Sequence, residues 1–147
     1  QVQVHIQERA AEKERTLLLR ACMVAAASEL AKKRNIRVLI TGESLSQVAS
    51  QTVESIQFTN SFTPLPVFRP CIGLDKNEII DIARRIGTFE TSILPYDDCC
   101  SLFSPAHPLI RPDFEPMRDS FRRLEIEDLL DQAINGVETE AFSSLRI

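Results

Sequence analysis

Two acids and two thiols stand side by side in Tyr96-Asp97-Asp98-Cys99-Cys100, immediately after Pro95. Adjacent cysteines do not readily bridge each other, because a disulfide needs particular Cα and Cβ separations. Three readings of the stretch remain: a metal site, a reactive sulfur centre, or an accident of packing. A thiol that attacks or carries sulfur must ionise and be reached from outside. Asp97 and Asp98 oppose that, since nearby negative charge raises a thiol's pKa. The other cysteines offer less. Cys22 falls on the apolar stripe of a helix and Cys71 at a strand end, which reads as buried, inert sulfur. His5 and His107 have no cysteine or histidine at zinc-like spacing around them.

An alternation of helices and strands must position these groups. Residues 10–34 read as one long helix, with Leu17, Leu18, Ala21, Val24, Ala25, Ser28 and Leu30 on an apolar stripe and a basic end. Ahead of it, Val2, Val4 and Ile6 alternate with polar residues, the pattern of a short strand. Arg37-Val-Leu-Ile-Thr41 is a run rich in β-branched residues closed by Gly42, the profile of a buried parallel strand. Helical spacing resumes over 45–57 through Leu45, Val48, Ala49, Val53 and Ile56. Val67 and Phe68, bounded by prolines, make a second short strand.

Asp75 at an N-cap, with Glu78 three residues on, opens a helix carrying Ile79, Ile80, Ile82, Ala83 and Ile86, and Gly87 closes it. Residues 95–112 hold Pro95, Pro105, Pro108 and Pro112 and form a long loop, uncommon unless functional or disordered. A last helix spans roughly 118–134, with Leu124, Ile126, Leu129, Leu130 and Ile134 apolar, and stops at Gly136. The order predicts an α/β fold, a parallel sheet with flanking helices built from right-handed β-α-β crossovers. Ligands of such sheets sit beyond the carboxyl ends of the strands, where Gly42 and Arg69-Pro70 lie.

With 147 residues, 44% of them hydrophobic, the chain is long enough for one packed domain and short for two. Its net charge of −4 hides a gradient. Arg9, Lys13, Arg15, Arg20, Lys32, Lys33, Arg34 and Arg37 face only four glutamates in residues 1–40, whereas residues 113–147 hold nine acids against four arginines. A basic half can meet phosphates, although Lys32-Lys33-Arg34 reads first as a solvated helix end. No run approaches the ~18 apolar residues of a membrane span. No charged start leads into an apolar core, so the expectation is a cytoplasmic chain with free thiols and no membrane partner.

The stretch "TGESLSQVASQT" (Thr41–Thr52) resembles a signature of the tRNA 4-thiouridine synthetases, the ThiI-type sulfurtransferases. The likeness continues through "LPVFRPCIGLDKNEIIDIARRIGTFETSILPYDDCCSLFSPAHP", covers Arg15 to Arg20 and, more loosely, "EIEDLLDQAINGVETEAF". It implies a PP-loop ATP-pyrophosphatase domain of adenine-nucleotide α-hydrolase fold, using ATP with Mg²⁺. Such enzymes adenylate O4 of a tRNA uridine. Sulfur relayed from a cysteine desulfurase as an enzyme persulfide then displaces AMP. Some members also deliver sulfur for the thiamin thiazole, through a sulfur-carrier protein.

The family's nucleotide contacts fall here on Arg20, Gly42 and Gln51, and its sulfur-handling cysteine on Cys99. The chemistry of each suits the part. A strand-end glycine lets backbone approach a nucleotide, an amide can read a base or ribose, and a guanidinium can pair with phosphate. The bland alternatives are a turn glycine, a helix-surface glutamine and an arginine snorkelling at the core edge. Members that hold an iron–sulfur cluster use a CxxC motif, which this sequence lacks. Ser46 stands where the family motif commonly has glycine. Arg111 and His107 could touch tRNA or simply be solvated.

The SGGxDS-type loop that cradles ATP phosphates does not occur among the four glycines Gly42, Gly73, Gly87 and Gly136. The family's THUMP and ferredoxin-like modules are not matched either. The expectation is the second half of the catalytic domain over 1–112, with 113–147 an acidic helical segment on the same domain, inactive without an N-terminal half. An exposed sheet edge would then favour a homodimer. The alternative is a nucleotide- or partner-binding half-domain without catalysis. Incubating the chain with a cysteine desulfurase and cysteine should add one sulfur, ~32 Da by intact mass, to the wild type and not to Cys99→Ser. Equal gain by both would move the acceptor to another cysteine.

Overall fold

The computed structural model of the chain describes residues 1–96, 103 and 108–140. An alanine-rich run without glycine or proline winds into α2 (Arg15–Lys33), which buries Leu17, Leu18, Leu19, Ala21, Cys22, Ser28 and Ala31. Helix propensity favours this composition, but packing holds it, because α2 is lined by apolar neighbours along most of its length. It begins at Arg15 rather than residue 10, after an extended Ala10 and a tight 3-10 turn over Glu12–Glu14.

The first residues form a helix, α1 (Val2–Arg9), not the strand their alternation suggests. Ile6 is fully buried and Val2, one turn earlier, packs beside the core, while Val4 is left exposed. That is a helical face, since a strand would have put all three valine and isoleucine side chains together. His5 fixes the helix, its Nε2 standing 2.6 Å from the Leu124 carbonyl as donor.

β1 (Leu39–Ile40) and β2 (Val67–Phe68) pair in parallel, Leu39 opposite Val67 and Ile40 opposite Phe68, with α3 (Val53–Asn60) between them in the chain. The crossover and the parallel pair agree with the sequence reading, whereas burial does not. Ile40 is 68% exposed and Phe68 59%, because alternate residues of the two short strands face no covering element among the described residues. The helical spacing over 45–57 is also misleading. Ser46 takes a left-handed φ of 62°, and the helix starts only at Val53, where the Thr52 hydroxyl accepts the Ser55 amide.

α4 (Lys76–Arg85) carries the expected capping box: Asp75 accepts the Asn77 and Glu78 amides and Glu78 accepts the Asp75 amide at 2.8 Å. Gly87, at φ 76°, supplies the left-handed turn that ends it, and the short α5 (Phe89–Ser92) follows. The last helix is two helices, α6 (Phe114–Arg123) and α7 (Glu127–Asn135). Leu124 and Ile126 are both buried, yet on one straight helix they would point roughly 200° apart. A left-handed Glu125 breaks the helix and turns both inward.

Those two residues join Ile6, Leu18, Cys22, Phe58, Phe103 and Met117 in one core between the helices. Thr16 donates to the Phe103 carbonyl at 2.7 Å, tying part of the proline-rich loop to α2. The charge gradient folds back on itself: Lys33 donates to Asn135, Arg34 to Thr139, and Arg9 lies 3.5 Å from Glu125. Lys32-Lys33-Arg34 is thus a solvated helix end, as read. No helix among the described residues is long and apolar enough to cross a membrane. Phe58 is fully buried and edge-on to both Phe62 and Phe114. Phe58→Ala should lower stability by about 3–5 kcal/mol in urea denaturation.

Candidate functional site

In the β1–β2 register the next pair is Thr41 and Arg69, so both leave the carboxyl ends of the strands side by side, and the Thr41 amide donates to Phe68 at 3.0 Å. Two residues beyond β1's partner position, the buried Glu43 turns back between them. Its carboxylate accepts the Thr41 hydroxyl at 2.8 Å, Arg69 Nε at 2.7 Å and a terminal nitrogen of Arg20, which reaches across from α2. Arg20 donates its other terminal nitrogen to the Ser50 carbonyl. Arg69 completes its set on the Val67 carbonyl and the Asn60 amide oxygen, each at 3.2 Å.

Gln51, next to Ser50, closes the loop. Its side-chain oxygen accepts the Ser44 amide at 3.1 Å, its carbonyl accepts the Ser46 amide and its own amide donates to Val48. Ser44 in turn donates its hydroxyl to the Leu74 carbonyl at 2.6 Å. The structure therefore brings Arg20, Gly42 and Gln51 together at one strand-end site. Gln51 lies in a 3-10 turn (Ala49–Gln51) rather than on a helix surface. A side chain at Gly42 would meet nothing within 4 Å, and its φ is not left-handed, so neither packing nor backbone conformation within the chain demands glycine. The space in front of that backbone is open.

Arg20 also lines a cleft of about 280 Å³ whose other walls include Met23, Val24, Ala27, Leu39 and Ile40. An apolar cleft with a cation and a carboxylate at one end suits a ligand with a flat apolar part and an anionic part. A larger cavity of about 590 Å³ lies between α1, α2 and α7, but no charged side chain lines it, and its Cys22 thiol is pushed up to about 12 by burial. Cys22 is buried as expected, while Cys71 is only half-buried. Cys99, with Asp97, Asp98, Cys100 and His107, lies outside the described residues. Arg111 is 85% exposed, its charge 4.0 Å from Glu54.

Sequence reasoning passed over Glu43. The signal was present as an acid directly after the strand-end glycine, with an arginine directly after β2. Ser46 has a physical meaning too, since its left-handed φ is where a glycine would sit without strain.

Parallel strands joined through a helix, with a polar cluster at their carboxyl ends, define an α/β protein of the kind whose ligands bind at the strand ends. The chain belongs to the ThiI family: the family model described as "Thiamine biosynthesis protein (ThiI)" matches residues 1–126. It is 47% identical over 138 residues to a probable tRNA sulfurtransferase of Acetivibrio thermocellus, covering 94% of this chain and 35% of that protein. To one from Treponema pallidum it is 48% identical over 132 residues, 90% of this chain and 33% of the relative. A crystal structure of a 4-thiouridine synthetase–RNA complex with bound ATP superposes with a TM-score of 0.81 at 33% identity, over 90% of this chain and 34% of that one. The chain thus spans about a third of the length of these relatives.

Burial alone would raise the Glu43 pKa, but hydrogen bonds from Arg69 and Thr41 and the charges of Arg20 and Arg69 outweigh it and hold the carboxyl below its ordinary value of 4.5. A depressed acid contributes stability that is fully present above 4.5 and is lost as pH falls through its lower folded pKa. Thermal midpoints should therefore drop on acidification below that point in the wild type. Glu43→Gln should show a smaller drop over the same range.

Proposed function

We propose that this chain is the second half of the PP-loop catalytic domain of a tRNA sulfurtransferase, which forms 4-thiouridine at the expense of ATP. The observation that carries the reading is the strand-end cluster of Arg20, Gly42, Glu43 and Gln51, in a chain of the ThiI family. Support for ATP and tRNA as ligands comes from the similar 4-thiouridine synthetase, whose structure holds both RNA and ATP. Arg20 would face the nucleotide phosphates, the open backbone at Gly42 would let the ligand approach, and the Gln51 loop would bound the base or ribose side.

Cys99 would carry sulfur received from a cysteine desulfurase. A sulfur-carrier protein serving thiamin thiazole formation would be a second client of the same sulfur. Among the described residues no group of three histidines, cysteines or acids stands close enough to hold a metal ion. When present, the ion would ride on the nucleotide phosphates, as Mg²⁺ commonly does.

The remaining part of the site, an SGGxDS-bearing N-terminal half, would complete the nucleotide cradle, and the exposed Ile40 and Phe68 are apolar surface consistent with such a complement or with a second copy. ATP titrated into the chain together with a polypeptide carrying that loop should bind saturably. Gly42→Ala should weaken the binding by about tenfold or more, without lowering the unfolding midpoint, since the added methyl meets no atom of the chain. Equal affinities would remove Gly42 from the site, and a wild-type assembly that never binds ATP would overturn the nucleotide reading.

A further inference from the structure

The nucleotide reading gives Glu43 no contact with the ligand, yet its carboxylate, 8% exposed, accepts bonds from α2 and from the residues that follow β1 and β2. The bonds form a closed circuit. Glu43 holds Arg20, Arg20 holds the Ser50 carbonyl, Gln51 beside it accepts the Ser44 amide, and Ser44 adjoins Glu43.

The two arginines differ within the circuit. Arg69 uses all three of its nitrogens inside the chain, on Glu43, Val67 and Asn60. Arg20 is bonded among the described residues through its terminal nitrogens only, and it lines the cleft. Every nitrogen of Arg69 is engaged, which makes it the anchor, whereas the Nε–H of Arg20 has no partner among the described residues and its side chain borders the cleft, so Arg20 keeps a donor for a ligand. Two guanidiniums against one carboxylate leave the cluster one positive charge, the sign that favours phosphate.

We propose that Glu43 is the positioning residue of this site. It aims Arg20 at the phosphate of an adenine nucleotide and, through Arg20, orders the Ser46–Gln51 loop. The proposal rests on the nucleotide reading above.

Its test compares the wild type, Glu43→Gln, Arg20→Lys and the double variant in the binding assay of the preceding section, with ATP and adenosine as paired probes. Glu43→Gln should weaken ATP by roughly ten- to a hundredfold and leave adenosine within about twofold, and in the Arg20→Lys background the ATP effect should vanish. Equal losses for ATP and adenosine, or effects that simply multiply in the double variant, would reduce Glu43 to a structural residue and overturn the proposal.

Hydrogen exchange of the Ser46 and Gln51 amides, measured on the chain without nucleotide, should quicken in Glu43→Gln; unchanged exchange would overturn the loop-ordering role. If the wild type binds neither probe, the nucleotide reading falls and takes the phosphate role with it, while the exchange rates still decide whether Glu43 orders the loop. Unfolding midpoints accompany every variant. Should Glu43→Gln fail to fold, Glu43→Asp replaces it, keeping the charge while its shorter side chain breaks the reach to Arg20.

Discussion

A carboxylate with little solvent around it must be paired or neutral, and Glu43 is paired twice. Its partners come from α2 and from the end of β2, and Thr41 adds a hydroxyl from the end of β1. One side chain therefore sets how the long helix sits against the sheet edge, while the helices bury their apolar faces on the far side of α2. Taking away Glu43 would leave two half-buried guanidiniums with no acid between them, whereas losing either arginine leaves the other opposite the carboxylate. The bonds tie the strand ends, α2 and the loop after β1 into one network, and preorganisation of that kind lowers what a ligand must spend on ordering a site.

The legible parts of this fold were those governed by local chemistry. The Asp75–Glu78 capping box and Gly87 mark α4 unmistakably, because capping is decided within four residues. The parallel β1–β2 pair followed from short β-branched and proline-bounded runs spaced by a helix. What the sequence hid was decided at a distance. Val2, Val4 and Ile6 read as a strand until α2 and Leu124 supply the pocket into which only one helical face fits. The single helix drawn through Leu124 and Ile126 breaks because both must reach the same core. The candidate site was half legible: the family resemblance pointed to Arg20, Gly42 and Gln51, which the fold places near one another, but Glu43 acquires its meaning only when Arg20 arrives from a helix more than twenty residues away in the chain.

Family membership and geometry contribute different things. The ThiI match and the relatives say which lineage the chain comes from, and that it spans only about a third of each relative. The bonding around Glu43 says how this third joins α2 to its strand ends. α4 illustrates the division: it is strongly amphipathic in pattern, yet none of its residues is fully buried, and Ile86, Ile93 and Leu94 beyond it stay exposed. A helix with an apolar stripe and no full cover has contributed only part of the burial its pattern offers.

Cys22 has a consequence for the speciation of sulfur on this chain. A thiol at about 12 is ionised at neutral pH in only about one molecule in a hundred thousand. Alkylating reagents and sulfane donors alike select for the anion and need access to it, so Cys22, also 2% exposed, is a poor target for both. Any sulfur or label the folded chain acquires at neutral pH reports on the other three cysteines, and a signal at Cys22 would instead time the opening of the helical core around it.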